Sequence, residues 1–377
     1  MFNHREKNKS GDMPNIIMIL LDGLRRDRIH NCQFLLSVLN KGYYFSNTIT
    51  AAPYTLASMH SIFSGLYPSK NGVNSYFGAL KFKKSTCKTL PQYLQENGYY
   101  TIANLVNDFL IPSQGFNKID KHDEFKDDLL LLHKDIISKI MNQKFFLFLQ
   151  YSNIHTETIR NVGKKYTDFD EEYFKNYKLN KNNYNSYLKK MDLYLKEIFN
   201  HIESLNLLRN TIIVVFSDHG TSNGEKIGEK MYGSFTYDYT IRVFCTFLMP
   251  SSSPKEIKTQ VRTIDIMPTL LEFLDIKLND HYEKIQGQSL MPLIEDKQHE
   301  DRISFSETGG LNGPWPSPYE PNVFCIRFKN FKLIYNKTPD LWEMYNLDDD
   351  PEEKNNIFNE NDKFALELKK MLLSHLS

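Results

Sequence analysis

The chain has 377 residues, of which 41% are hydrophobic and 24% are charged, the composition of a globular protein with a sizeable core. Its 46 basic and 46 acidic residues balance, so the net charge indicates neither a nucleic-acid-binding protein nor one that docks on an anionic membrane. The four cysteines, Cys32, Cys87, Cys245 and Cys325, are far apart and form no CxxC pair. They indicate neither a structural zinc site nor a disulfide framework, and they fit a reducing compartment.

The first thirteen residues, MFNHREKNKSGDM, are polar and charged and lack the apolar segment of a signal peptide. The apolar run that follows, residues 16–21, is too short to span a bilayer. We therefore predict a flexible leader over residues 1–13, a cytoplasmic location and no transmembrane segment.

Several apolar runs without alternation predict buried strands of a mainly parallel sheet that is covered on both faces. These runs are residues 15–21, 99–106, 144–151, 211–216 and 241–249. Residues 90–97, 129–141 and 184–205 have helical periodicity. The Lys- and Asn-rich stretch 169–183 is predicted as a surface excursion or lid.

After about residue 300 the pattern changes to short alternating strands, followed by an aromatic and acidic segment, 341–350, and a helix, 362–376. This pattern predicts a small antiparallel sheet packed by one helix. We therefore divide the chain into a catalytic α/β domain, residues 14–298, and a C-terminal α+β subdomain, residues 299–377.

Ionisable side chains follow three of the predicted strands. Asp22 follows the first strand, His155 comes shortly after the strand 144–151, and Asp218 and His219 follow the strand 211–216. Ligands of open α/β sheets bind at the carboxyl ends of the strands. Asp22 could equally be a turn residue, because Asp-Gly is a strong turn signal. A single histidine such as His155 is more often structural.

Thr55 follows a Pro-Tyr turn and precedes a short helical run, residues 56–63. It should lie at or beside the helix N-cap, where free backbone N–H groups attract an anion. Taken alone, a simple cap is the commoner role. Two carboxylates, an imidazole and an oxygen nucleophile nevertheless match an open, catalytic type of metal site.

Several segments in order carry a family resemblance: LLDGLRRD, the Thr55 segment ending in SGLYPSKNGV, FSDHG, TIDIMPTLLEFLDI with QGQSLMPLI, and FKLIY with LWEMYNLDDDPEEKNN. From about residue 14 to the C-terminus the chain resembles the sulfatase family of the alkaline phosphatase superfamily. The resemblance implies an alkaline-phosphatase-like α/β/α sandwich with a mixed, mainly parallel sheet, and a small C-terminal antiparallel sheet with a helix. It also implies one divalent cation in the active site.

The resemblance implies a role for each matching position. Asp22, Asp218 and His219 match metal-binding residues, and Thr55 falls where the family has its nucleophile, next to the metal. His155 matches the histidine that meets the anionic or leaving group of the substrate.

Lys230 lies in the stretch where such proteins place a residue that contacts the bound anion. It is a weaker match, because the length of this loop varies within the family.

The chain also departs from the family pattern. Sulfatases carry Cys or Ser in a C/S-x-P-x-R segment that is converted to formylglycine, whereas residues 55–59 are TLASM, so formylglycine cannot form. His219 occupies a position that is often Asn in calcium-dependent sulfatases, which favours Mn²⁺ or Zn²⁺ while leaving Ca²⁺ open. Thr as nucleophile with these ligands resembles phosphoglycerol and phosphoethanolamine transferases and phosphodiesterases.

These observations predict a metal-dependent hydrolase or transferase that acts on phosphate mono- or diesters through Thr55. Two alternatives stay open: a sulfatase that works without formylglycine, and an inactive homologue that serves as a scaffold or binding module. The expected substrate is a small-molecule, glycan-linked or lipid-linked anionic ester, with no nucleic-acid partner. Its specificity should depend on the loops 168–183 and 309–321.

Overall fold

The computed structural model describes residues 13–250 and 253–376, so residues 1–12 of the predicted leader lie outside the described part. The strands are β1 Asn15–Leu21, β2 Tyr43–Ile49, β3 Tyr100–Leu105, β4 Lys118–Lys121, β5 Phe145–Tyr151, β6 Thr211–Phe216, β7 Arg242–Leu248, β8 Lys255–Ile257, β9 Val261–Arg262, β10 Ser304–Thr308, β11 Val323–Phe328, β12 Phe331–Asn336 and β13 Leu341–Asn346. The α-helices are α1 Gln33–Leu39, α2 Thr55–Ser64, α3 Pro68–Asn71, α4 Leu90–Glu96, α5 Leu129–Ile140, α6 Asn153–Thr158, α7 Glu171–Lys175, α8 Tyr177–Ser204, α9 Asp238–Ile241, α10 Ile266–Phe273, α11 Met291–Ile294 and α12 Lys363–Leu376.

Within the described residues, the main sheet has nine strands in the order β4-β3-β5-β1-β6-β7-β2-β8, with β9 also paired to β2. The five strands from β4 to β6 run parallel to one another. The strand β7 is antiparallel to both of its neighbours, β6 and β2. The sheet is therefore mixed and mainly parallel, which confirms the fold predicted from the sequence.

The central strand β1 explains why its sequence is apolar without alternation. All seven of its residues are buried. Ile16, Met18 and Leu20 belong to a core cluster that also contains residues of α2 and α10. The intervening residues belong to the opposite cluster, which contains residues of α1, α5 and α8. Both faces of the sheet are thus covered by helices, as in an α/β/α sandwich.

The helix α8 begins at Tyr177, seven residues before the predicted start, and α7 precedes it. The stretch 169–183, predicted as a surface excursion or lid, is therefore largely helical, and its role as a lid stays a prediction. Its many Lys and Asn residues occupy the exposed side, whereas Tyr173 and Tyr184 are buried. Polar composition obscured the periodicity, because too few apolar positions mark the buried side.

The C-terminal sheet is antiparallel, in the order β10-β11-β12-β13. Residues of α12, among them Leu368 and Leu372, pack on one side of it. On the other side, Val323 and Ile334 share a core with Ile49 and Ile241 of the main part. The predicted sheet and helix are confirmed, whereas the strand β13 lies in a segment for which no strand was predicted.

Across residues 13–250 and 253–376, no helix combines the length and the apolar character needed to cross a membrane.

Candidate active site

Asp22 and Asp218 lie next to each other because the strands that precede them are neighbours. β1 and β6 pair in parallel, with Leu20 opposite Phe216, so both chains leave the sheet at the same edge. Gly23 has a φ of +73°, which lets the backbone turn immediately after Asp22. Both carboxylates are buried, with 1% and 0% of their surface exposed.

His219 directs its Nε2 atom at these two carboxylates. Nε2 is 3.6 Å from Asp22 Oδ1 and 3.6 Å from Asp218 Oδ2. On the other side of the ring, Nδ1 is 2.7 Å from the carbonyl oxygen of Gly220. A carbonyl can only accept, so Nδ1 carries the proton and Nε2 presents its lone pair to the carboxylates. This orientation is that of a metal-binding histidine.

The cluster fits a divalent cation. Ligand atoms of Asp22, Asp218 and His219 all lie within 4.8 Å of one another. Among the residues that the structure describes, Asp218 Oδ2 has no hydrogen-bond partner although it is buried. Burial raises the pKa of Asp218 to about 6, and burial together with the charge of Asp218 raises the pKa of Asp22 to about 6. A cation between the groups would offset the cost of burying this negative charge.

Further hydrogen bonds hold these side chains in place. Asp22 Oδ2 accepts from Gln150 Nε2 at 2.6 Å. Asp218 Oδ1 accepts from the backbone N–H groups of His219 and Gly23, at 2.9 and 3.4 Å. One oxygen of Asp218 is thus fixed by the backbone and the other points freely into the cluster.

Thr55 places its hydroxyl in the same cluster. Its Oγ1 is 3.4 Å from Asp22 Oδ1 and 3.2 Å from His219 Nε2. Thr55 is the first residue of α2, and its neighbour Tyr54 takes the N-cap position without a side-chain cap. The hydroxyl of Ser58, one turn further along, donates to the carbonyl oxygen of Asp218 at 3.0 Å, so α2 is tied directly to the end of β6.

His155 and Lys230 occupy different positions. His155 lies in α6, directly after β5, and its Nε2 is 2.5 Å from the hydroxyl of Tyr232. Lys230 donates from Nζ to the backbone oxygens of Tyr166 and Gly163, at 2.6 and 3.4 Å. The structure therefore brings His155 to the border of the cluster and binds the Lys230 ammonium to the segment after α6.

Tyr232 was missed by the sequence reasoning. Its ring lies 4.6 Å from the His219 ring and 5.5 Å from the His155 ring, measured between centroids. The tyrosine comes two residues after Lys230, in a glycine-containing loop that follows the SDHG motif. This position after the motif was its only signal, because the path of a loop does not follow from periodicity.

Comparisons with known proteins match both parts of the chain. Residues 14–276 match the family model described as sulfatase, and residues 232–377 match one described as the C-terminal part of N-sulphoglucosamine sulphohydrolase. N-acetylglucosamine-6-O-sulfatase of Bacteroides thetaiotaomicron is 30% identical over 188 residues, which are 45% of this chain and 30% of that protein. The match thus spans less than a third of the relative's length.

Solved structures show the same fold. A 2-O GAG sulfatase superposes with a TM-score of 0.76 at 19% identity, covering 97% of this chain and 90% of that one. The phosphonate monoester hydrolase of Agrobacterium radiobacter superposes with a TM-score of 0.77 at 14% identity, covering 96% and 95%. The sulfatase model matches well over half of the chain, and the matched part includes the cluster of Asp22, Asp218 and His219. The chain therefore belongs to the sulfatase family.

Proposed function

We propose that the chain hydrolyses a sulfate ester, with Thr55 as the nucleophile at a site that holds one divalent cation. The observation that carries this proposal is the position of the Thr55 hydroxyl, within 3.4 Å of Asp22 Oδ1 and 3.2 Å of His219 Nε2. The name of the Bacteroides relative, an N-acetylglucosamine-6-O-sulfatase, supports sulfate over phosphate and suggests a glycan-linked ester as the class of substrate.

Asp22, Asp218 and His219 would hold the cation, and Thr55 Oγ1 would complete the donor set. A bound cation would lower the pKa of the Thr55 hydroxyl and stabilise negative charge on the ester oxygens. An imidazole among few carboxylates suits Mn²⁺ or Zn²⁺ better than Ca²⁺.

Thr55, the start of α2 and His155 have separate roles in the proposed reaction. Thr55 Oγ1 releases its proton to solvent and attacks sulfur, so that an O–S bond forms while the bond from sulfur to the leaving oxygen breaks. The first backbone N–H groups of α2 face the anion, which is favoured at a helix N-terminus. His155 donates a proton to the leaving oxygen. Water then attacks the sulfur of the threonine ester, the bond from sulfur to Thr55 Oγ1 breaks, and Oγ1 takes up a proton of that water as sulfate leaves.

The predicted contact between Lys230 and the bound anion stays a prediction. For this contact the ammonium would have to leave the carbonyl oxygens of Tyr166 and Gly163, to which it donates. The Tyr232 ring lies against His219, so Tyr232 is the better candidate for a substrate contact from this loop.

Phosphate monoester or diester hydrolysis or transfer is the second candidate. It is favoured by the residue type at position 55, because a threonine cannot be converted to formylglycine and must release its ester by attack of water or an acceptor hydroxyl. The same ligands and the same nucleophile would serve a phosphorus centre.

The test is a panel of aryl sulfate, phosphate monoester, phosphate diester and phosphonate substrates, assayed with the purified protein after its metal content is measured. We expect bound divalent metal and fastest turnover of the sulfate. Thr55→Ala should lower kcat by about a thousandfold or more while metal stays bound, and Thr55→Ser should retain part of the activity. Faster turnover of a phosphate ester would favour the second candidate. Absence of metal together with inactivity on every substrate would indicate an inactive homologue.

A further inference from the structure

Glu124 lies behind His155, in the loop that follows β4. Its Oε2 atom is 3.4 Å from His155 Nδ1 and accepts a hydrogen bond of 2.6 Å from Thr156 Oγ1. Both partners of the ion pair are largely buried, with side-chain exposures of 16% for His155 and 17% for Glu124. The carboxylate therefore has a fixed position on one side of the imidazole.

The other nitrogen of His155 faces the active site. Nε2 contacts the Tyr232 hydroxyl at 2.5 Å, and the Tyr232 ring lies against His219. Glu124, His155 and Tyr232 thus form a row that ends beside the catalytic cluster. At the outer end of this row, Glu124 and Thr156 line a cavity of about 150 Å³ together with Asp127 and Arg160. The Glu124 end of the row thus borders a cavity large enough to hold water, and the Tyr232 end borders the cluster.

We propose that Glu124 is a positioning residue that orients His155 as the proton donor to the leaving-group oxygen. The proposal rests on the proposed function, because it assigns a role within the same reaction. A carboxylate that accepts from Nδ1–H fixes both the tautomer and the ring orientation of a histidine. Nε2–H, which lies against the Tyr232 hydroxyl, is then the group that can protonate a leaving oxygen bound beside that hydroxyl.

Charges around the imidazole agree with this role. Burial opposes a charge on His155, but the hydrogen bond to Glu124 and the charges of Asp22, Glu124 and Asp218 raise its pKa. Burial also opposes the charge on Glu124, yet the hydrogen bonds from His155 and Thr156 lower its pKa. The hydrogen bond between the two side chains therefore favours imidazolium and carboxylate over the neutral pair, and the imidazolium is the form of His155 that can give a proton away.

The proton balance closes over one turnover. As the bond between sulfur and the leaving oxygen breaks, that oxygen takes the Nε2 proton and departs as an alcohol. His155 is then neutral. It accepts one proton from the water that attacks the threonine ester, and Thr55 Oγ1 takes the other as its bond to sulfur breaks, so imidazolium and hydroxyl are both restored. Sulfate leaves as the dianion, and the proton that Thr55 released in the first step is the net proton of the hydrolysis.

The test compares two series of esters, because an acid matters only when the leaving oxygen is basic. Nitrophenolate leaves as an anion, whereas an alkyl alcohol must be protonated. We expect Glu124→Gln to lower kcat for alkyl sulfates about ten- to a hundredfold and to lower kcat for nitrophenyl sulfate less than about threefold. His155→Ala should give the same selective loss, and Thr156→Val a smaller one, since it removes one bond to Glu124.

Glu197→Gln is the matched control, since it removes another partly buried carboxylate that pairs with Lys134 at 3.0 Å outside this row. It should leave both ester series unchanged. Equal loss of both series in Glu124→Gln would overturn the positioning role, and so would no loss in either. If the wild type hydrolyses neither series, the proposed function fails instead.

A measurement that needs no turnover distinguishes failure of the positioning role from failure of the proposed function. The His155 ring signals, followed by NMR as the pH is changed, should titrate at lower pH in Glu124→Gln than in the wild type. An unchanged midpoint would overturn the coupling between Glu124 and His155, whatever the substrate proves to be.

Discussion

The two oxygens of Asp218 have different environments, and this difference allows a sharp test of the metal site. Oδ1 accepts from two backbone N–H groups, whereas Oδ2 is buried without a hydrogen-bond partner among the described residues. Asp218→Asn can keep the Oδ1 bonds and replaces only the free oxygen. We expect the affinity for divalent cations, measured by calorimetry, to fall about a hundredfold or more, with the metal-free protein no less stable than the wild type.

Asp192→Asn is the control for this substitution. The Asp192 carboxylate, in α8, accepts from the backbone N–H groups of Phe34 and Leu35, at 2.9 and 2.8 Å. It therefore holds the start of α1 against α8 and has a structural role. This variant should lose stability and keep its metal affinity. Equal loss of metal in both variants would contradict the assignment of Asp218 as a ligand.

Glu307 gives a pH dependence of stability that is independent of the metal. Its Oε1 accepts from the backbone N–H of Ser69 at 2.6 Å, while burial raises the pKa of the carboxyl to about 7 from 4.5. Between these values the folded state keeps a proton that the unfolded state releases. Stability is therefore full below about pH 4.5 and falls as the pH rises to about 7.

Replacing Glu307 by Gln removes this titration and retains the acceptor for Ser69. From pH 5 to pH 8 we expect the variant to gain at most about 3 kcal/mol in unfolding free energy relative to the wild type. Urea unfolding at several pH values measures this gain. Other buried acids, such as Glu229, titrate equally in both proteins and cancel, so a constant difference would contradict the assignment.

At the scale of elements, β10 holds two active-site loops at once. Ser306 Oγ donates to the carbonyl oxygen of Thr50 at 2.6 Å, in the segment that leads to α2. Two residues further, Thr308 Oγ1 donates to the carbonyl oxygen of Gly233 at 2.5 Å, next to Tyr232. The C-terminal sheet thus fixes the approach of both Thr55 and Tyr232 to the cluster.

A charge network around the buried Lys332 fixes β12 to α9, the short helix that follows the Tyr232 loop. Lys332, with 0% of its surface exposed, pairs with Asp238 at 2.5 Å and Glu353 at 2.7 Å. We expect Lys332→Met to lower the unfolding free energy by about 3–5 kcal/mol, because the buried Glu353 and the largely buried Asp238 lose their shared cation. The exposed Lys337, substituted in the same way, should change stability by less than about 0.5 kcal/mol. Similar Tm values for the two variants would contradict a structural role of the network.

The elements that the sequence predicted well are those whose environment is uniform. β1, β5 and β6 are buried on both faces, and their apolar runs have nearly the observed ends. The start of α8 and the strand β13 were missed, because each mixes polar residues with a few buried aromatic side chains. There the period is set by tertiary contacts that a single sequence does not display.

At the scale of the whole molecule, the candidate site also divides into residues that the sequence pattern could place and residues whose position depends on tertiary contacts. Asp22, Thr55, Asp218 and His219 could be placed together because strand ends and a helix start converge at one edge of a parallel sheet. Glu124 and Tyr232 could not, since they come from loops whose path depends on α6 and on the C-terminal sheet. Lys230 shows the limit of prediction from motifs. Its ammonium donates to the backbone oxygens of Gly163 and Tyr166, and no sequence motif predicts these contacts.

The division into residues 14–298 and 299–377 leads to a last prediction. Ile49 and Ile241 share a core with Val323 and Ile334 across this boundary, and the two family models overlap over residues 232–276. A chain that ends at residue 298 would therefore expose part of the core of residues 14–298 and lose the bonds from β10 to both loops of the candidate site.

We expect that shortened chain to unfold without a sharp urea transition and to bind divalent cations at least about tenfold more weakly than the full chain. Adding residues 299–377 as a separate polypeptide should restore part of the affinity, because the shared apolar surface and the Lys332 network can reform between the pieces. A cooperative transition with unchanged metal affinity in the shortened chain would mean that residues 14–298 form the site alone. The C-terminal sheet would then act on substrate access and not on the geometry around Thr55.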